Sequence, residues 1–198
     1  MPSLAESIKQ LESDLSAQPM RIAAHSDMPF AIFRYPPEEE FALRKQLRLL
    51  AITLSQNHGR KVTFISIARI VWKTIRDFGE ADLFKTEDLR GFDAAQNHIK
   101  QLLTSVDFRP TAESVLKKIA LLKPERDIVF LVRAGGFAPY IYSTSQLLDR
   151  LHNRTLVPVV VFYPGGAEVG TDLRFFNLPI MGSSGAYNYR VRIYGVQS

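Results

Sequence analysis

The chain has 198 residues, 46% of them apolar, and no cysteine. A chain of this length buries about 70% of the surface its unfolded form exposes, so it needs no disulfide or metal to hold together, and without cysteine a thiolate zinc site or a cysteine nucleophile is excluded. The formal net charge is +5, with 8 basic and 5 acidic side chains in residues 121–198, an excess that fits a solvated surface better than the tight basic clustering of a nucleic-acid footprint.

Leu4, Ile8, Leu11 and Leu15 recur at helical spacing and predict an amphipathic helix over 3–17. No apolar run resembling a secretory leader opens the chain, and no apolar stretch approaches the ~20 residues of a membrane helix. A soluble protein is therefore expected, and the lack of cysteine fits a reducing cytoplasm. "PFAIFRY" (29–35) reads as a buried strand ended by Pro36-Pro37. Pro37 and Glu38-Glu39-Glu40 then suit the first turn of a helix, where proline is tolerated and acids complement the dipole. Leu43, Leu47, Leu50 and Leu54 line one face of that helix, and Asn57-His58-Gly59 ends it.

"KVTFISI" (61–67) is a second strand, and Ser66 is placed to cap a helix carrying Ile67, Ile70, Val71, Ile75 and Phe78. A helical middle section follows, with stripes at Ala95, Ile99, Leu102, Leu103 and Val106, and at Ala112, Val115, Leu116 and Ile119. "DIVFLV" (127–132) is apolar on both parities and reads as an interior strand. A short helix is predicted over 143–151, a strand over 155–164 with Pro158 near its start, and a last strand over 187–195. On that last strand Tyr187, Tyr189, Val191 and Ile193 share one face, while Arg190, Arg192 and Tyr194 share the other, as on an edge strand with one wet side. The Gly/Ser-rich stretch 181–185 is expected to be a mobile loop.

Strands separated by helices predict an α/β fold: one three-layer domain over 1–198, with a mostly parallel sheet of about five strands flanked by helices. The C-terminal edge strand is the one expected to run antiparallel. Residues 1–20 are read as a helix packed on the domain, and 80–124 as a helical insertion within it.

Three strands end alike, in "FRYPP", "LVRAGG" and "FYPGG". In a parallel sheet such ends share one rim, where open α/β folds bind ligands. Arg34, Tyr35, Arg133, Gly135, Gly136, Tyr163, Gly165 and Gly166 are thus candidates for a rim that contacts something; the competing reading is plain chain reversal, which also uses Pro and Gly. "RAGGFAPYIYST" lacks both the lysine and the GxxxxGK[ST] spacing of a phosphate-binding loop, and no GxGxxG opens into a helix. Gly135-Gly136 therefore reads as a tight turn. His25, His58, His98 and His152 form no HxH or HxxxH pair, so neither a metal nor a cofactor is expected. No GxSxG elbow is present, and Asp172 is better suited to capping a turn than to catalysis. No enzyme is expected. A nucleic-acid surface would draw on Arg174, Arg190, Arg192 and Tyr194, although an edge strand carries charges in any case to prevent aggregation.

"PFAIFRYPPEEEFALRKQL", "FLVRAGGFAPY", "LLDRLHNRTLVPVVVFYPGG", "DLRFFNL" and "YNYRVRIYG", in this order and spacing, resemble the BrxB family, a small component of BREX bacteriophage-exclusion systems. The resemblance runs from about Leu4 to Gly195 and brings no catalytic residue with it. It implies a cytoplasmic, non-catalytic adaptor acting with other BREX components, among them a large ATPase, a DNA methyltransferase and PglZ, with PglZ the favoured direct partner and DNA reached indirectly. No membrane or small-molecule substrate is expected. Arg133, Phe137, Tyr140, Arg174 and Phe176 are the partner-binding candidates, since aromatic and arginine side chains dominate interface hot spots; core packing is the alternative for Phe137 and Phe176. Two other readings stay open: a nucleic-acid-binding accessory subunit, and a degenerate P-loop-like nucleotide-binding domain without hydrolysis.

Overall fold

The computed structural model describes residues 3–22, 29–108, 110–138, 141–165 and 191–195. Among the described residues five strands form one sheet in the order β2-β3-β4-β1-β5, all neighbours parallel. The strands are β1 (Phe30–Tyr35), β2 (Lys61–Ser66), β3 (Asp127–Val132), β4 (Val159–Pro164) and β5 (Arg192–Gly195). The helices are α1 (Leu4–Ser16), α2 (Glu40–His58), α3 (Ile67–Phe78), α4 (Glu80–Arg90), α5 (Phe92–Thr104), α6 (Thr111–Ile119) and α7 (Thr144–Leu151). The α/β expectation holds, with one correction: the C-terminal strand pairs parallel to β1, not antiparallel.

Local chemistry explains the boundaries. Ser3 and Glu6 form a reciprocal capping box at the start of α1. The Ser66 hydroxyl accepts from the Arg69 amide, and Ser143 does the same for Gln146 at α7. Gly59 ends α2 in the left-handed conformation, where a Cβ would be strained. Pro158 precedes β4 and needs no donor there; its carbonyl accepts from the Val129 amide.

Alternation along the strands divides the core in two. On one face Ala31, Phe33, Phe130 and Phe162 pack against the leucine stripe of α2 and against Ile8, Leu11 and Leu15 of α1. On the other, Phe30, Ile32, Leu131 and Val161 pack under α3, α5, α6 and α7. The crossover from β1 to β2 runs in one direction over the first face, and those from β2 to β3 and β3 to β4 run back over the second. Opposite directions on opposite faces are what right-handed crossovers require. The parallel arrangement brings the carboxyl ends of β1, β3 and β4 to one rim.

Candidate functional site at the carboxyl rim of the sheet

The rim residues meet through strand register. Arg34 pairs with Tyr163, and Tyr35 with Pro164; the Gly165 amide donates to the Tyr35 carbonyl at 2.9 Å. Arg34 is buried at 6% exposure, and its Nε has no hydrogen-bond partner. Burial lowers its pKa, because water that would solvate the cation is excluded. On its other side Gly195 comes so close that a Cβ there would sit 1.9 Å from the Arg34 carbonyl oxygen.

Tyr35 is fully buried and donates its hydroxyl to the Glu40 carboxylate. Burial first, and then that hydrogen bond, raise the pKa of the phenol well above its ordinary value. The other Glu40 oxygen accepts from Arg44 Nε at 2.7 Å. Glu40 thus does more than complement a helix dipole. It ties the end of β1 to α2 and orients Arg44.

The double glycine forms a single 3-10 turn over Ala134–Phe137. Its driving requirement is packing. A Cβ on Gly136 would lie 2.7 Å from the Ala68 Cα, so glycine is what lets this turn sit directly on α3. The tight turn also forces Arg133 into the left-handed conformation at φ 57°, a state that costs a non-glycine residue roughly 1–2 kcal/mol. The Arg133 carbonyl accepts from the Gly136 amide, and its side chain projects into solvent.

Arg133 there joins Arg44 and Arg48 of α2 around an apolar floor of Leu47, Phe64 and Val132, enclosing about 180 Å³. Arg44 is held by Glu40 and by the Phe41 ring, whose centroid is 5.2 Å from its guanidinium carbon. Among the described residues Arg48 and Arg133 make no ion pair. The notch therefore presents two uncommitted guanidinium groups beside apolar surface. It can accept an acidic side chain and an aliphatic or aromatic neighbour together.

Several sequence expectations need correction. Phe137 is 1% exposed and stacks on Tyr142 with ring centroids 5.0 Å apart; it is a core residue and not a surface anchor. Tyr194 is not on a wet face. It is 5% exposed because α1 packs over that side of β5, and its hydroxyl donates to Asp14 at 2.9 Å. Arg192 pairs with the same Asp14 at 2.9 Å and donates to the Arg21 carbonyl at 2.7 Å. Both side chains anchor α1 to the sheet. Tyr140, Gly166, Asp172, Arg174, Phe176 and Arg190, and the loop 181–185, lie outside the described residues. Sequence reasoning missed Arg48 and Phe64. A phenylalanine at the outward position of a strand that proves to be an edge is the one signal that marked this place.

A sequence model of the family described as "BREX protein BrxB" matches residues 63–193, about two thirds of the chain, from β2 into β5. The chain belongs to the BrxB family. Membership makes it a component of a BREX bacteriophage-defence system. No curated protein and no solved structure matches it significantly. The Arg133 notch of this BrxB-family chain straddles the boundary of the match: Phe64, Val132 and Arg133 fall inside it, while Arg44, Leu47 and Arg48 of α2 lie before it. Among the described residues no helix is long and apolar enough to cross a membrane.

Proposed function

We propose that this BrxB-family protein is a non-catalytic adaptor that docks on another BREX component, PglZ being the favoured partner, through the arginine notch at the sheet's carboxyl rim. The reading is carried by Arg133. The packed turn over Gly136 holds Arg133 at positive φ, and its exposed guanidinium makes no ion pair among the described residues; an arginine kept at a strained position beside Arg48 is a pointer to function. The notch chemistry selects an acidic segment: carboxylates for Arg48 and Arg133, with apolar contact to Phe64 and Val132.

Co-purification of the chain with tagged PglZ tests it. The double variant Arg48→Glu with Arg133→Glu should retain at least about tenfold less of the chain, since hot-spot charges are commonly worth more than ~1.4 kcal/mol. Its unfolding midpoint should stay near wild type, because both side chains are exposed. Undiminished capture of the variant would remove the notch as the docking surface. Failure of the wild-type chain to co-purify would remove PglZ as the partner.

A further inference from the structure

On the opposite side of the sheet three large aromatic side chains stand in water. Trp72 is 57% exposed, Phe84 63% and Phe92 55%. They come from three successive helices, α3, α4 and α5, and converge on one groove of about 130 Å³ floored by Ile75, Leu83 and Ile99. Trp72 falls outside the buried stripe of α3, so packing against the sheet does not account for it. Single exposed apolar residues are ordinary, but a cluster of rings around a groove marks a binding surface.

The charge around the groove is negative, and its buried unsatisfied polar atom is an acceptor. Its charged lining residues are Glu80 and Glu87, and neither forms an ion pair among the described residues. The third polar group is the Gln96 side-chain oxygen, which is buried and has no hydrogen-bond partner. Leaving such an oxygen unpaired is costly, so an occupant that brings an N–H donor is favoured. A second copy of the chain is a poor occupant. A two-fold contact pairs this patch with itself, and the patch offers no basic lining residue to meet Glu80 and Glu87. Anionic lipid headgroups meet the same acids.

We propose that this groove seats a basic amphipathic helix of a partner protein, with apolar side chains among Trp72, Phe84 and Phe92, and arginine or lysine donating to Glu80, Glu87 and Gln96. Helix-in-groove recognition of this kind places anchors at i, i+3, i+4 and i+7. The proposal rests on the adaptor reading only in requiring a partner. Its surface lies across the sheet from the arginine notch and is of opposite charge, so one molecule could hold an acidic segment on one side and a basic one on the other.

The chain has one tryptophan, so Trp72 emission reports the groove directly. The full chain is titrated with two synthetic helical peptides of equal length. Both carry leucine at i, i+3, i+4 and i+7; one has arginine at the remaining positions and the other glutamate. The arginine peptide should shift Trp72 emission to the blue and saturate, and the glutamate peptide should not. Phe84→Ala with Phe92→Ala should weaken binding about tenfold or more, the usual loss for buried aromatic anchors. Glu80→Lys with Glu87→Lys should reverse the peptide preference. Equal responses to both peptides, an unchanged preference in the lysine variant, or no response to either would overturn the proposal. So would a blue shift that grows with protein concentration alone, which would assign the face to self-association. The Arg48→Glu, Arg133→Glu variant should keep the full Trp72 response, which separates failure of this proposal from failure of the notch.

Discussion

Asp14 lies 1% exposed between α1 and β5, where Arg21, Arg192 and Tyr194 all converge on it. Glu80 and Glu87 stand on α4 at the edge of an aromatic groove, with no counter-charge among the described residues. The two regions share their ingredients, carboxylates beside aromatic rings, and differ in whether the ingredients satisfy each other. Near β5 both oxygens of Asp14 have donors, and the donors come from segments far apart in the chain. Gln10 Nε2 adds a further contact at 3.2 Å. That region closes the fold. On the α3–α5 side the two carboxylates and the three rings are exposed to water, and it is this unsatisfied surface that the proposed recognition would use.

Removing Asp14 should break the comparison most severely. Asp14→Ala leaves the Tyr194 hydroxyl buried without its acceptor and two arginines without their shared anion. We expect a loss of about 3 kcal/mol, at the low end for a broken buried pair because both arginines remain partly solvated. Denaturant unfolding measures it, and hydrogen exchange should show α1 and β5 opening together. A loss below about 1 kcal/mol, the range of an ordinary surface pair, would mean that the cluster is not what holds α1 to the sheet.

A second internally satisfied acid sharpens the point through pH. Asp127, at the start of β3, is 1% exposed and accepts from Arg126 Nε at 3.0 Å and from the Lys123 amide at 2.7 Å. The Arg126 hydrogen bond, more than any other cause, holds its pKa below the ordinary carboxylate value. A depressed folded pKa means that the unfolded chain binds the proton more readily. The stabilisation is therefore present above the unfolded value of about 3.9 and is lost as pH falls through the lower, folded one. Wild-type unfolding midpoints should drop below pH ~4, and in Asp127→Asn the drop should be shallower. Parallel pH profiles for the two proteins would contradict this.

The smallest effect is expected where acids are unspent. Glu80→Gln with Glu87→Gln should change stability by less than about 0.5 kcal/mol, as for surface sites outside any network. A destabilisation above about 1 kcal/mol, beyond that surface range, would show that these carboxylates serve the fold after all and would erase the contrast with Asp14.

Much of the fold was legible because its signals are local. The Ser66 cap, the leucine stripe of α2 and the apolar run of β3 each depend on residues within one or two turns of one another. The same locality explains the misreadings. Parity correctly set Tyr194 opposite Ile193, but the exposed side was inferred from an edge strand assumed to be bare; α1, 180 residues away at the Tyr194–Asp14 bond, covers it. Phe137 reads as an anchor because aromatic side chains dominate interface hot spots, with core packing the alternative; the turn folds onto α3 and buries it, so the alternative holds. Of the candidate site, Arg133 was visible in sequence; Arg48 and Phe64 were not, since nothing in either segment says that α2 and β2 flank the end of β3. The Trp72 groove was equally hidden, because it needs three helices to converge.

From the amino-acid order alone came most of the elements, the Ser66 and Gly59 caps, the parallel α/β class and the resemblance to BrxB, all of which rest on short-range periodicity, turn chemistry and motif order. Only the tertiary structure decided that β5 runs parallel beside β1, that Asp14 gathers the two termini, and which charges stay unpaired on each side of the sheet. Whether a charge is spent or available depends on neighbours brought together by packing, and those neighbours are distant in the chain.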